Sequence, residues 1–104
     1  MASHKFSKAS VDIRKSGGEI TATADGWAFF SACGHKLVAH KTMPAGKYWQ
    51  VTEPVTGHRI GSGSVSRDAA ADLAERILAR HPGALAQCIT QTLIEREVAT
   101  ERAA

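Results

Sequence analysis

The chain has 104 residues, of which 43 % are hydrophobic and 22 % are charged, a balance that is typical of one folded domain and excludes a disordered polyelectrolyte. Its formal net charge of +3 is unevenly distributed, because residues 1–67 carry nine basic and four acidic side chains whereas residues 68–104 carry four and six. The first segment therefore has a net charge of +5 and the second of −2, which favours a nucleic acid or an acidic protein as partner.

The first 18 residues are polar and basic and end in the pair Gly17-Gly18. Terminal segments of this composition are often mobile until they bind a partner. We therefore predict a flexible basic N-terminal arm over 1–18, or a loosely attached first strand around 11–13, followed by a single α+β domain over 19–104.

Short alternating runs predict the strands. Asp25-Gly26 lies between two such runs, and this pair favours the type I′ turn of a β-hairpin. Trp27 and Phe29 would then share one face of the next strand. Further strands are predicted over 36–42, 47–53 and 58–65, with turns between them at 33–35, 43–46 and 54–57.

Two helices are predicted after the strands. Ser66 is a favourable N-cap, and Asp68 in the first turn complements the helix dipole. Apolar residues within 69–78 recur at the spacing of one helix face, and His81-Pro82-Gly83 ends this helix before a second one begins near Ala84. The predicted fold is α+β, an antiparallel β-meander of four to five strands followed by two C-terminal helices packed on one face. The predicted core consists of Ile20, Trp27 or Phe30, Leu37, Trp49, Val51, Ile60, Leu73, Ile77, Leu85 and Ile89.

The sequence argues against catalysis. It contains no nucleophile elbow, Walker loop, HExxH or CxxC motif. Asp25 and Glu53 are the acids of the predicted sheet, and both fall at predicted turns, which favours a turn role over an acid/base pair. We therefore predict a protein that is not an enzyme and needs no cofactor.

A metal site is also disfavoured. Cys33, His35, His40 and His58 lie in or near adjacent predicted strands, but their spacing matches no standard zinc site. A small buried cysteine and three partly exposed imidazoles are the simpler interpretation. The glycine-rich segment 61–64 favours a bulged or flexible edge strand over a phosphate cradle, although weak anion binding there remains open.

No apolar run approaches the roughly 18 residues that a membrane span requires. Residues 1–10 lack the apolar segment of a signal peptide. We therefore expect a cytoplasmic protein that has no membrane partner and keeps Cys33 and Cys88 as free thiols.

A basic and aromatic sheet face is the strongest candidate site. If Tyr48, Gln50 and Thr52 face outward, neighbouring cations join them on one surface, where they can contact phosphates while the amide and hydroxyl contact base edges. The alternative is an ordinary solvated face with Trp49 and Val51 in the core. The candidate nucleic-acid or partner-binding residues are Lys36, Lys41, Lys47, Tyr48, Gln50, Arg59 and Arg67.

Residues 36–80 resemble the arm-binding domain of phage tyrosine recombinases. The matching features are W-x-V-T at 49–52, the turn T-G followed by H-R-I at 56–60, and S-R-x-x-A at 66–70 before an amphipathic helix. In that family a three-stranded sheet braced by one helix binds DNA with its exposed face, which implies a DNA face containing Lys41, Lys47, Gln50 and Arg59. The chain departs from the family pattern where His58 follows the turn glycine in place of a basic residue, and in its second helix and its Asp-Gly pair.

Three functions follow as hypotheses. The first is a small non-catalytic module that binds nucleic acid through a basic sheet face. The second is a protein-binding accessory or inhibitor protein, for example an anti-defence factor, because the chain is similar in size and style to small phage and plasmid proteins. The third is a structural homodimer formed through the C-terminal helix.

Overall fold

The structure is a computed structural model that describes residues 4–14, 20–41 and 46–103. The sheet is antiparallel, with each strand paired to the next in the order β1-β2-β3-β4. The predicted α+β meander with two C-terminal helices is confirmed. The elements are β1 (Ser7–Arg14), β2 (Ile20–Phe30), β3 (Lys36–Lys41), β4 (Trp49–Thr52), α1 (Arg67–Arg80) and α2 (Ala84–Ala103).

The predicted turn at Asp25-Gly26 is wrong, because both residues lie inside β2. Gly26 pairs with Ala9 on one side and with His40 on the other. A Cβ at this position would lie 2.9 Å from both His40 Cβ and Val38 Cγ1, and closer still to the carbonyl oxygen of Ala39. The glycine therefore permits a close approach of β2 and β3 and does not turn the chain.

Part of the predicted N-terminal arm belongs to the sheet. Strand β1 pairs with β2 from Ser7 opposite Ala28 to Arg14 opposite Ile20. The predicted first strand is thus present and longer than expected, and residues 7–14 are not an arm. Residues 1–3 and 15–18 of that segment lie outside the described residues.

The predicted fifth strand over 58–65 is not a regular strand. It follows the edge of β4 through two isolated bridges, Trp49 to Ser64 and Thr52 to Arg59. Between these bridges Gly61 and Gly63 have φ angles of 80° and 83°, which interrupt an extended ladder. The interpretation of this stretch as an irregular sheet edge fits the structure, and the meander has four regular strands among the described residues.

Glu53 has the turn role that its position predicts. Its carboxylate accepts hydrogen bonds from the backbone N–H groups of Val55 at 2.8 Å and Thr56 at 2.7 Å. The backbone of Glu53 also bonds to both Gly57 and His58, so one residue closes the whole turn. These bonds satisfy a carboxylate that is only 2 % exposed.

Helix α1 begins and ends as its sequence predicts. The Ser66 hydroxyl accepts a hydrogen bond from Ala69 N at 3.1 Å, and the His81 N–H closes the last turn on the carbonyl of Leu78. Buried alanines at 70, 71 and 74 let the helix lie close to β3 and β4. Neither helix, over its described residues, combines the length and apolarity needed to cross a bilayer.

The main core lies between the sheet and the helices. Four of the predicted core residues are buried in it, namely Leu37, Val51, Ile60 and Leu85. Three more, Trp49, Ile77 and Ile89, pack against it and remain partly exposed. The remaining members of the cluster are small or aromatic. The cluster contains Phe29, Leu37, Ala39, Val51, Ile60, Ala70, Ala71, Ala74 and Leu85, with Phe6, Trp49, Ile77, Leu78 and Ile89 packed against it.

Phe29, not Phe30, is the buried aromatic of β2. Phe29 pairs with Leu37 and is 1 % exposed, whereas Phe30 pairs with Lys36 and is 66 % exposed. Side chains alternate along a strand, so only one of two adjacent phenylalanines can face the helices. Trp27, the other predicted core residue at this point, is half-buried, and the side chain of Ile20 lies outside the described residues.

The same alternation defines two faces of the sheet. We call the face that carries Phe29, Leu37 and Val51 the helical face, because α1 packs against it. We call the opposite face, which carries a second apolar cluster of Val11, Ala28 and Val38, the reverse face.

Candidate nucleic-acid interface

The two lysines of β3 lie on opposite faces of the sheet. Lys36 pairs with Phe30 on the reverse face, while Lys41 pairs with Trp49 on the helical face. Both lysines are exposed. Side chains alternate between the two faces of a strand, so lysines five positions apart point to opposite faces. The single basic surface predicted from the sequence is therefore divided in two.

Gln50 does not lie on an open surface. It is 9 % exposed on the reverse face, where it pairs with His40. Its amide nitrogen lies 3.5 Å from His40 Nε2, and the adjacent Thr52 is only 2 % exposed. The expectation that Gln50 and Thr52 face outward is therefore wrong, because their strand position directs them into a buried polar cluster.

His40 organises this polar cluster. Its Nδ1 lies 2.9 Å from the carbonyl oxygen of Lys41, which can only accept, so Nδ1 carries the proton. Its Nε2 then accepts a hydrogen bond from Thr52 Oγ1 at 2.7 Å. Burial lowers the pKa of His40 below its ordinary value, and the bond to the Lys41 carbonyl opposes this only in part.

The structure gives no support to a metal site among the residues it describes. Both ring nitrogens of His40 are engaged on the reverse face, while Cys33 and His35 lie in the turn between β2 and β3. No group of three His, Cys, Asp or Glu in the described part of the chain is arranged to hold a metal ion. Cys33 and Cys88 are free, as predicted, but Cys33 is exposed and His40 is buried, so the interpretation as a buried cysteine and partly exposed imidazoles is wrong for these two residues.

Trp27 carries two cations on the helical face. Lys8 is its direct partner in the register between β1 and β2, and Lys8 Nζ lies 5.8 Å from the centroid of the indole ring. Arg67, the first residue of α1, places its Cζ 4.9 Å from the Trp27 centroid and 4.0 Å from that of Phe6. The N-terminus of α1 therefore brings a guanidinium to the side of the sheet where Trp27 lies.

Trp49 carries a third cation on the same face. Lys41 is its register partner, and Lys41 Nζ lies 4.9 Å from the ring centroid. Trp49 is half-buried because it also packs against the main core. We call the set formed by Lys8, Trp27, Lys41, Trp49 and Arg67 the tryptophan surface.

Two acids lie close to the tryptophan surface. Asp25 is exposed on β2, two residues before Trp27 on the same face, and accepts a hydrogen bond from Ser10 Oγ at 3.0 Å. Asp68 Oδ1 lies 4.0 Å from Arg67 Nε. The three cations therefore outnumber the acids, but Asp25 reduces the positive potential beside Trp27.

The other predicted residues lie outside this surface as defined. Lys47 and Tyr48 are exposed just before β4, with Tyr48 51 % exposed, and Arg59 is exposed where its segment bridges to Thr52. Of the seven predicted residues, only Lys41 and Arg67 belong to the tryptophan surface. Sequence reasoning missed Lys8, which it placed in the arm, and Trp27, which it placed in the core.

A separate recess of about 800 Å³ lies between the β2–β3 turn and the junction of the two helices. Glu75 on its wall accepts hydrogen bonds from the backbone N–H of Ala32 at 3.0 and 3.2 Å, and lies 3.3 Å from His4 Nε2. Its carboxylate thus fastens the β2–β3 turn and the N-terminal segment to α1. This role is structural, and the recess adds little chemistry to the candidate site.

No family model matches the chain, and no curated protein or solved structure is detectably similar to it. The segment 36–80, which resembles the arm-binding domain of phage tyrosine recombinases, spans β3, β4 and α1 in the structure. That resemblance stays a prediction.

Proposed function

We propose that the protein binds nucleic acid through the tryptophan surface. The observation that carries this proposal is that three cations, Lys8, Lys41 and Arg67, lie over indole rings on one face of the sheet. Cations that lie over half-buried indole rings can move to phosphates while the rings contact sugars and bases.

The charge distribution supports the same surface. Residues 1–66, which contain the sheet and its loops, have eight basic and four acidic side chains, whereas α1 has three of each and α2 has two basic and three acidic ones. A nucleic acid approaching the molecule would be steered toward the sheet and away from α2, whose net charge is −1. The exposed C-terminal part of α2 would therefore not contact the nucleic acid.

A fluorescence anisotropy titration with labelled DNA and RNA oligonucleotides tests this proposal. Three phosphate contacts predict a slope of about −2 to −3 for the logarithm of the association constant against the logarithm of salt concentration, which is a loss of roughly 20- to 40-fold between about 50 and 200 mM salt. An absence of binding to single- and double-stranded oligonucleotides at low salt contradicts the proposal. A pull-down with the intact chain then tests the alternative, an acidic protein partner.

Helix α2 supports a second candidate, the structural homodimer. Leu93, Ile94 and Val98 are 51 %, 49 % and 39 % exposed on this helix, so apolar area remains that a second copy would cover. Multi-angle light scattering decides between the states. A dimer that a Leu93→Gln variant converts to a monomer supports self-association, whereas a wild-type monomer at high concentration contradicts it.

A further inference from the structure

We infer that the ligand of the tryptophan surface is a single-stranded nucleic acid whose unpaired bases stack on Trp27 and Trp49. This inference rests on the proposed function and narrows it to one class of nucleic acid. It depends on the chemistry of the two indoles, their separation on the sheet, and the space and charge beside them.

The chemistry of an indole distinguishes unpaired from paired bases. A duplex offers a protein its phosphates and the edges of its base pairs, while the faces of its bases are covered by stacking. Trp27 and Trp49 supply large π faces and one N–H donor each, which read base edges poorly. The same faces suit unpaired bases of any sequence, for which stacking on aromatic side chains supplies much of the affinity.

The separation of the rings also favours an open strand. Trp27 lies on β2 opposite Ala39, and Trp49 lies on β4 opposite Lys41, so β3 runs between them and they are offset by one same-face position. Strand geometry places such residues about 12 Å apart. Adjacent nucleotides of a stacked strand are only about 3.4 Å apart along its axis, much less than the separation of the two rings. Bases that stack on both rings must therefore come from non-adjacent nucleotides of an unstacked chain.

Each ring has its own cation for the phosphate of a stacked nucleotide. Lys41 lies at Trp49, while Lys8 and Arg67 lie at Trp27. A single strand that crosses the sheet from β2 to β4 would therefore meet a base platform and a positive charge at both ends of its path. This pairing of platform and cation is the arrangement that sequence-tolerant single-strand binding requires.

There is also room for a base beside Trp27. A recess of about 580 Å³ adjoins the ring and is lined by Lys8, Ser10, Asp25 and Gly26 as well as by Trp27 itself. Gly26 contributes only its backbone to this recess, because a Cβ there would point toward Val38 and His40 on the reverse face. The Ser10 hydroxyl donates to Asp25 Oδ1 at 3.0 Å, so this recess offers the remaining carboxylate oxygen of Asp25 as an acceptor for a donor on a base edge.

Tryptophan fluorescence tests this inference directly, because Trp27 and Trp49 are the two tryptophans of the chain. We would titrate the intact protein with single-stranded oligothymidylate and with a duplex of equal length at low salt. The expected result is quenched tryptophan emission and at least about tenfold tighter binding for the single strand. Trp27→Ala should weaken single-strand binding by at least about fivefold, and Trp27→Phe, which keeps an aromatic ring, should lose less.

The outcomes separate the inference from the proposed function. Duplex binding that equals or exceeds single-strand binding, without quenching, overturns the inference and leaves nucleic-acid binding standing. No binding of either oligonucleotide overturns both. Circular dichroism establishes whether each variant is folded. If Trp27→Ala unfolds, the quenching of the wild-type protein and the affinity of Trp27→Phe decide the question. Equal affinity of Trp27→Phe for the single strand and the duplex would count against stacking.

Discussion

His40 on β3 and Thr52 on β4 are diagonal neighbours on the reverse face, with His40 Nε2 2.7 Å from Thr52 Oγ1. The residue after His40 is Lys41, whose carbonyl oxygen accepts the hydrogen bond from His40 Nδ1 and whose side chain lies over Trp49 on the other face. The buried polar cluster on the reverse face therefore fixes the end of β3 that presents Lys41 on the tryptophan surface.

The unfolding free energy should depend on the charge of His40. Burial lowers the pKa of His40 in the folded state below its ordinary value of 6.5. Above pH 6.5 the side chain is neutral in both states, whereas below it the unfolded chain takes up a proton that the folded protein resists. Stability should therefore fall as the pH is lowered through 6.5, until the folded pKa is reached.

Urea unfolding at about pH 7.5 and 5.5 measures this loss, which for one proton is at most about 1.4 kcal/mol per pH unit. His40→Asn keeps a donor for the Lys41 carbonyl and cannot titrate, so its unfolding free energy should change less over the same range. An equal change in wild type and His40→Asn would assign the pH dependence to other groups.

Gly26→Ala should destabilise the sheet. The added Cβ would press on the Ala39 carbonyl oxygen, Val38 and His40 in the adjacent strand. We expect a loss of about 1–3 kcal/mol in chemical denaturation, since this strand contact has no free space. A neutral or stabilising effect, which is what alanine gives at an unobstructed strand position, would contradict the close approach of β2 and β3.

Gly63→Ala is the matched control for that variant. A Cβ there meets nothing within 4 Å, and the φ angle of +83° alone opposes it. Its cost should come from backbone strain alone, about 1–2 kcal/mol. A loss at Gly26 that exceeds the loss at Gly63 would report the steric contact with β3.

Glu53→Gln should destabilise the turn after β4. The carboxylate accepts from Val55 N and Thr56 N, and replacing one oxygen with an amide NH₂ group sets a donor against a buried donor. A loss of about 1–3 kcal/mol is expected in thermal or urea unfolding. Glu97→Gln on the exposed part of α2 should stay within about 0.5 kcal/mol of wild type, and an equally small effect at Glu53 would show that its buried bonds do not matter.

Asp25→Asn should strengthen nucleic-acid binding. Its carboxylate lies beside the proposed path of the strand, where it repels phosphates, and the amide oxygen of asparagine can still accept from Ser10. A gain of about two- to fivefold at low salt is expected from removing one exposed charge. Glu97→Gln removes the same charge from α2, and an equal gain in that variant would mean that net charge, and not position, controls binding.

The sequence predicts the order and type of the elements well because their signals are local. The Ser66 cap, the His81-Pro82-Gly83 break and the turn that Glu53 closes each depend on a few adjacent residues, and all are present. The error at Asp25-Gly26 has a different cause. The same pair that favours a hairpin turn also suits a strand that must approach its neighbour closely, and only the tertiary contact with β3 distinguishes the two.

The site was less predictable than the fold because it depends on register. Lys8 and Trp27 are 19 positions apart in the sequence and become partners only through the pairing of β1 with β2. Gln50 looked accessible because alternation separates it from Trp49, but the face it shares with His40 is buried as well. A strand with both faces buried gives no alternating signal from which an exposed face can be recognised.

The most direct test of the proposed interface compares Lys41→Ala with Lys36→Ala. Both lysines are exposed on β3, but Lys41 lies over Trp49 on the helical face and Lys36 lies on the reverse face. Oligonucleotide affinity would be measured by anisotropy at several salt concentrations. We predict that Lys41→Ala weakens binding and reduces the salt slope by about one, while Lys36→Ala changes neither. Weakened binding in Lys36→Ala with wild-type binding in Lys41→Ala would contradict the account and place the nucleic acid on the reverse face.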